Sequence, residues 1–348
     1  MEAPKRENSN LQLGQSIAAP YLLFLGAEKS PTYAKTAAGL AHWRPELCMG
    51  QLRLSPHTVD LGLPDYDVRS AAEHGAKTFV IGTAVVGGAI PDAWIDLLVD
   101  ALHAGLDVAA GVHTRLSSIH RLVDAATQSG RKLIDVRVPP ADIPVGTGIK
   151  RSGKRLLTVG TDCALGKKYT ALALEQEMSA RGINVDFRAT GQTGIMIAGS
   201  GIPIDAVVAD FVSGAAEMVS PANEEDHWDV IEGQGSVFHP GYSAVSVGLL
   251  VGSQPDAFVV CTEAGRTHIK GWPSFELPTI DAVIQRTLDI GRQVNPDIRC
   301  VGISVNTSML DDAERVSYLA QLSTDYGLPA VDPISIGVGP LVDFLTED

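Results

Sequence analysis

The chain has little of what marks a secreted, membrane-bound or nucleic-acid-binding protein. Its 348 residues include four cysteines, Cys48, Cys163, Cys261 and Cys300, with no CxxC pair and no histidine cluster at metal spacing. That scatter argues against a disulfide framework or a structural zinc module and for reduced thiols in a cytoplasmic setting. No segment approaches the roughly 18 apolar residues that a membrane span needs. The run Ala18–Phe24 is too short and too late for a signal peptide. Positive charge is scarce. Lys and Arg number 27 against 41 Asp and Glu, a formal net of −14, so a polyanion such as DNA is not an expected partner. Internal repeats and low-complexity segments are also lacking.

What is present is 45% hydrophobic residues and 35 glycines, the composition of an α/β protein with many tight strand-to-helix turns. The length favours two domains. Buried-strand runs at 21–26, 47–54, 78–82, 108–111 and 133–138 alternate with helix-compatible stretches at 33–42, 71–75, 92–105 and 116–129. In the third of these, Trp94, Leu97, Leu98 and Leu102 share a face. This alternation implies a parallel sheet, so residues 1–145 read as a Rossmann-like N-terminal domain behind a loose arm over 1–19. Residues 139–154 (PPADIPVGTGIK RSGK) lack apolar periodicity and read as the linker. Residues 146–348 restart the alternation as a P-loop NTPase-like parallel-sheet domain. Strands are expected at 156–159, 185–188, 230–231, 257–261, 300–305 and 328–331. Helices are expected at 166–181, 205–219, 240–251, 279–294 and 311–326.

Chemistry in such sheets gathers at the carboxyl ends of the strands. The most specific signal there is Gly160-Thr161-Asp162-Cys163-Ala164-Leu165-Gly166-Lys167-Lys168, a glycine-framed loop between a strand and a helix. Its N–H groups and the positive end of the helix dipole suit a phosphate, with Lys167 as a point charge over it. The loop is one residue longer than the usual phosphate loop. Lys168 stands where a Ser or Thr normally ligates Mg²⁺, and Thr170 comes two residues too late for that role. Two lysines serve a metal-free pyrophosphate better than they serve Mg-ATP.

The other tips offer partners for this loop. Arg188, Thr190, Gln192 and Thr193, in RATGQTG, are candidate substrate contacts. Glu232, in DVIEGQGS, is set to hold Mg²⁺ or accept a proton, and His239 is a second candidate base. Arg266, His268 and Lys270 put three basic side chains on one tip and suit substrate carboxylates. Asp210 is either a second metal ligand or a buried structural acid. In the first domain, Gly82–Gly88 lacks the GxGxxG spacing of a dinucleotide site. Glu28-Lys29-Ser30 and Lys35-Thr36 are placed to line an interdomain cleft.

The GTDCALGK loop and the EGQG segment resemble the GTD-x3-GK loop and EGAGG segment of dethiobiotin synthetase, a likeness confined to the second domain's scaffold. A longer likeness spans nearly the whole chain. GTDCALGKK, TGQTGI (190–195), DFVSGAAE (210–217) and the run Ile231–Ala257 resemble a family long classed as a domain of unknown function. Its described members are D-glutamate N-acetyltransferases built on a phosphate-loop fold. The resemblance implies acetyl transfer from acetyl-CoA to the amine of a small acidic amino acid. Gly160–Lys168 would hold the coenzyme's phosphates, Arg188, Arg266 or Lys270 the carboxylates, and Glu232 or His239 the proton, without a metal. A homo-oligomer is expected. The other readings are an ATP- and Mg²⁺-dependent ligase or kinase, with Glu232 and Asp210 on the metal, and a nucleotide-sensing protein without chemistry of its own.

Overall fold

The computed structural model describes residues 16–31, 33–83 and 88–347. Most of the expected arm and of the Gly82–Gly88 stretch lies outside those residues. The first sheet holds β1 (Tyr21–Gly26), β2 (Cys48–Arg53), β3 (Thr78–Ile81), β4 (Asp107–Ala110) and β5 (Leu133–Asp135). Their order is β2-β1-β3-β4-β5 and every neighbouring pair is parallel. Both faces of β1 are covered, which is why YLLFLG is apolar without alternation and buried throughout. The crossovers carry α1 (Lys35–Trp43), α2 (Val68–Glu73), α3 (Asp92–His103) and α4 (His120–Ser129). The buried stripe of α3 is Ile95, Leu98, Ala101 and Leu102, so Leu97 falls at its edge. Trp94 meets the Phe24 ring edge-on at 4.8 Å.

The second domain contains β6 (Lys154–Gly160), α5 (Lys167–Ala180), β7 (Val185–Arg188), α6 (Gln192–Ala198), α7 (Val212–Val219), β8 (Trp228–Ile231), α8 (Ser243–Ser253) and β9 (Ala257–Glu263). A hairpin follows, β10 (His268–Ile269) and β11 (Trp272–Glu276), then α9 (Ile280–Gly291), β12 (Arg299–Asn306), α10 (Asp312–Tyr326), β13 (Ala330–Val331) and α11 (Gly339–Thr346). The six-stranded sheet runs β13-β12-β9-β6-β8-β7, again parallel. The chain winds to one side of β6 for β7 and β8 and to the other for β9, β12 and β13. The crevice at such a reversal receives ligands, and here it opens at the end of β6.

Two expectations are corrected. The helix expected over 205–219 begins only at Val212. Before it lie two single 3₁₀ turns, Ile204–Ala206 and Ala209–Phe211, separated by extended Val207 and Val208, a β-branched pair that favours that backbone. Asp210 is therefore on a surface turn, exposed rather than buried among apolar neighbours. The stretch after β7 that carries the candidate substrate contacts enters α6 at Gln192. The hairpin and α11 were not foreseen, because a two-residue strand and an eight-residue helix carry little periodicity.

Segment 136–153 holds no helix or strand. Its end is anchored by Arg155, whose side chain is fully buried. Nε donates to Ser220 Oγ (2.8 Å), Nη1 to the carbonyls of Arg151 and Gly153 (both 3.1 Å), and Nη2 to those of Ser152 (3.0 Å) and Pro221 (2.9 Å). All five guanidinium donors are thus used, four of them on backbone that no sheet or helix satisfies. The seam between the domains is apolar: Leu40 and Trp43 of α1 share one buried cluster with Ala171, Ile195 and Ile197. Trp43 stacks on Tyr169 with centroids 6.2 Å apart, and Arg44 pairs with Glu175 at 3.1 Å.

Replacing Arg155 with Met should lower unfolding free energy by about 3–5 kcal/mol, because five buried acceptors lose their donors. Lys, with three donors, should recover less than half of the loss. Urea denaturation followed by tryptophan fluorescence reads both, and an unchanged midpoint for Arg155→Met would show that the anchor is dispensable.

Candidate active site

The loop after β6 is shaped by its own aspartate. Asp162 is fully buried. Its Oδ1 accepts from Cys163 N (2.6 Å), and its Oδ2 from Arg266 Nη1 (2.9 Å) and Lys270 N (2.8 Å). Thr161 N donates to Cys261 O (3.0 Å), fixing the loop to β9. Gly166, at φ 103°, makes the left-handed turn into α5, a backbone that a side chain would strain. Lys167 is buried and donates through Nζ to Asp162 O at 2.7 Å, so its ammonium lies inside the loop's curve. Burial lowers its pKa, opposed by Cys261, Cys163 and Asp162. Gly233 makes this packing possible, since a Cβ there would fall 1.6 Å from Thr158 O and 3.2 Å from Lys167 Cδ.

The adjacent lysines diverge. Lys168 does not join Lys167 over the loop, as the doubled charge implied. It is half-buried, with Nζ 4.5 Å from the Tyr169 ring centroid. Burial pulls its pKa down to about 8, with Glu232 opposing and Lys35 of α1 adding to the fall. The charges it senses are those of the cleft between the domains. Thr170 supplies no substitute hydroxyl, because its Oγ1 is bonded to Gly166 O (3.2 Å) and Ser304 Oγ (2.8 Å).

Glu232 lies at the tip of β8 with 5% of its surface exposed. Its Oε2 accepts from Thr190 N (3.1 Å) and Gly191 N (3.0 Å), and Thr190 Oγ1 donates to its carbonyl (2.6 Å). A Cβ on Gly194 would sit 2.2 Å from Oε2, so the glycines of TGQTG let the chain close around this carboxyl. Burial raises its pKa, opposed first by Lys168 and then by the two N–H bonds. A carboxylate so placed is a stronger base than a free one.

His239 is placed differently from a base. Nδ1 accepts from Gly241 N at 3.1 Å, so in the neutral ring the proton is on Nε2. Nε2 is buried without a hydrogen-bond partner, 3.8 Å from Asp162 Oδ1. Burial lowers the pKa and keeps the ring neutral. It is held between Tyr242, stacked at 4.4 Å, and Trp272, edge-on at 4.6 Å. The imidazole therefore offers a donor toward the loop, not a lone pair.

The basic residues expected to hold carboxylates are largely taken. Arg188 pairs with Asp229 (2.7 Å) and Asp186 (3.1 Å). Arg266 pairs with Asp162 and Glu263 and also bonds Cys163 O. Lys270 is exposed, and its backbone is what serves the loop. Gln192 and Thr193 lie in the first turn of α6, where Thr193 Oγ1 meets Thr36 Oγ1 across the seam at 3.2 Å. Among the described residues two clusters have metal-compatible atoms, Asp162–Cys163–His239 and Asp186–His227–Asp229. In the first the facing imidazole nitrogen carries its proton, and in the second Arg188 holds both carboxylates. Neither offers a ready donor set. Trp272 and Tyr242 had no sequence signal as site residues, since their hairpin and turn have no regular period.

Comparison with known proteins follows the same two halves. A family model described as the DUF1611_N Rossmann-like domain matches residues 53–139, and one described as the DUF1611_C P-loop domain, a domain of unknown function, matches 144–342. A D-glutamate N-acetyltransferase from Tritonibacter scottomollicae is 49% identical over 329 residues, covering 94% of this chain and 99% of its own. One from a Pseudoalteromonas species is 46% identical over 326 residues, covering 94% and 98%. The crystal structure of a DUF1611 family protein from Anabaena variabilis superposes with a TM-score of 0.83 at 32% identity, over 95% of this chain and all of that one. With both domains matched in order and the fold shared from end to end, the chain belongs to the DUF1611 family.

Proposed function

We propose that this protein transfers an acetyl group from acetyl-CoA to the amine of D-glutamate. The observation that carries the reading is the pair of relatives of that name, nearly half identical to this chain along almost their whole length. The choice of D-glutamate rests on those names. The site's chemistry is compatible with it. A phosphate of the coenzyme suits the loop Gly160–Lys167, which brings the start of α5 and a buried ammonium together and where Lys168 replaces the Mg²⁺-ligating hydroxyl of a nucleotide triphosphatase. The coenzyme supplies the acyl group as an activated thioester. Glu232 takes the proton that the substrate ammonium must lose before its nitrogen becomes nucleophilic. The Nε2–H of His239 and the loop's N–H groups offer hydrogen bonds to anionic oxygen.

Two assays on purified protein separate this reading from its rivals. Free thiol should appear when D-glutamate and acetyl-CoA are both supplied, and no ADP should form with Mg-ATP. ADP release instead would favour a ligase or kinase, and no product with either donor would favour a binding protein. Lys167→Ala should raise the KM for acetyl-CoA at least about tenfold, the scale of one lost charge-assisted contact. An unchanged value would remove the loop from coenzyme binding.

Glu232→Gln gives a second, independent check. A carboxyl whose folded pKa is raised costs stability once pH exceeds its unfolded value, and the cost is complete above the folded one. Near pH 7.5 the amide should therefore hold or raise the melting temperature, its oxygen still accepting from Thr190 N and Gly191 N. kcat should meanwhile fall by about 10²–10⁴-fold. A lower melting temperature with near-normal turnover would make Glu232 structural.

A further inference from the structure

Among the described residues, neither Lys168 nor Lys35 has an ion-pair partner, and they come from different domains. Lys168 stands in the first turn of α5, its Nζ over the Tyr169 ring and free of any hydrogen bond. Lys35 is the first residue of α1 and is exposed. Thr36, beside Lys35, meets Thr193 at 3.2 Å, and the next residue, Gly194, lies against the Glu232 carboxyl, so both lysines are held near that acid; Lys35 also adds to the fall in the pKa of Lys168. Both oppose the positive end of their own helix dipole, and neither helix has an acidic residue in its first turn. Two unpaired ammonium groups with one buried carboxylate between the domains leave this part of the seam with an excess of positive charge. An anion entering it would offset that cost.

The seam around them is firmly held. Thr36, next to Lys35, meets Thr193 at 3.2 Å, and a Cβ on Gly39, one turn along α1, would sit 3.5 Å from Thr193 Cγ2. Tyr169, under Lys168, stacks on Trp43 at the other end of α1. Packing therefore sets where α1 and α5 place the backbones of Lys35 and Lys168. Arg188 and Arg266, the stronger carboxylate binders by residue type, are already paired.

We propose that Lys168 and Lys35, set by the two domains on the same cleft as Glu232, hold the carboxylates of the acidic amino acid. This rests on the acetyl-transfer reading above and assigns the first domain a direct part in substrate selection. The substrate's carboxylates face the two ammonium groups, and its own ammonium is left to Glu232. Lys167 remains with the coenzyme phosphate, so the adjacent lysines serve different ligands.

The test is a KM comparison in Lys35→Met, Lys168→Met and Lys168→Arg, each against D-glutamate, D-glutamine and acetyl-CoA. Both Met variants should raise the KM for D-glutamate by ~tenfold or more, shift preference toward D-glutamine, and leave the KM for acetyl-CoA within about twofold, the usual spread between such determinations. Arg should restore most of the D-glutamate affinity. In the unaltered protein, kcat/KM for D-glutamate should fall as pH passes about 8, where Lys168, facing Glu232 from β8 and Lys35 from α1, loses its proton; Lys168→Met should lack that fall. Where turnover of a variant is too low for a KM, calorimetric titration with D-glutamate gives the same comparison. Unchanged D-glutamate affinity in both Met variants overturns the proposal, as does a rise in the KM for acetyl-CoA alone. Absence of transfer by the unaltered protein would overturn the parent reading and this one with it.

Discussion

The buried carboxylate of Asp162 sets the geometry on which the site depends. It lies inside the loop that it belongs to, and its oxygens are bonded from Cys163 N, from the Arg266 guanidinium and from Lys270 N. Those bonds fix the loop's curvature and tie the β10–β11 hairpin across it. They also bring Trp272 against His239, so the hairpin, the loop and the turn before α8 form one packed unit. A carboxylate in such a place must be fully hydrogen-bonded, since an unpaired one would be expensive to bury. Arg266 is spent on that requirement, which is why the most basic strand tip contributes structure rather than a free cation.

Glu232 follows the opposite logic. Its N–H partners hold one oxygen, and no ion pair from the described residues neutralises it, so burial keeps its affinity for a proton high. The two acids stand on neighbouring tips of one sheet and take different roles from their surroundings. Their neighbouring lysines divide in the same way. Lys167 turns inward to Asp162 O, whereas Lys168, one position on and about 100° around the helix, turns to the cleft.

The strands of both sheets and the phosphate loop were legible because their signals are local. Unbroken apolar runs such as YLLFLG and VVCT mark strands covered on both faces. The glycines of GTDCALGK mark positions where only a bare backbone fits. The helix expected over 205–219 failed because its apolar spacing continues through two valines that sit extended. Arg188 and Arg266 were misjudged for a related reason. A guanidinium near a strand tip looks available in sequence, but Asp229 and Asp162, 41 and 104 positions away, are what it meets.

The sequence by itself determined the α/β architecture, the glycine-framed phosphate-loop segment Gly160–Lys168 and the strand-tip position of Glu232, and it marked 139–154 as the linker. Each follows from residue type and spacing within some ten positions. The tertiary structure decided which charges are paired, which way His239 presents its proton, and that Thr36 of the first domain meets Thr193 of the second. Those outcomes depend on which distant backbone and side-chain groups are buried together, and pairing across more than a hundred residues leaves no local pattern to read.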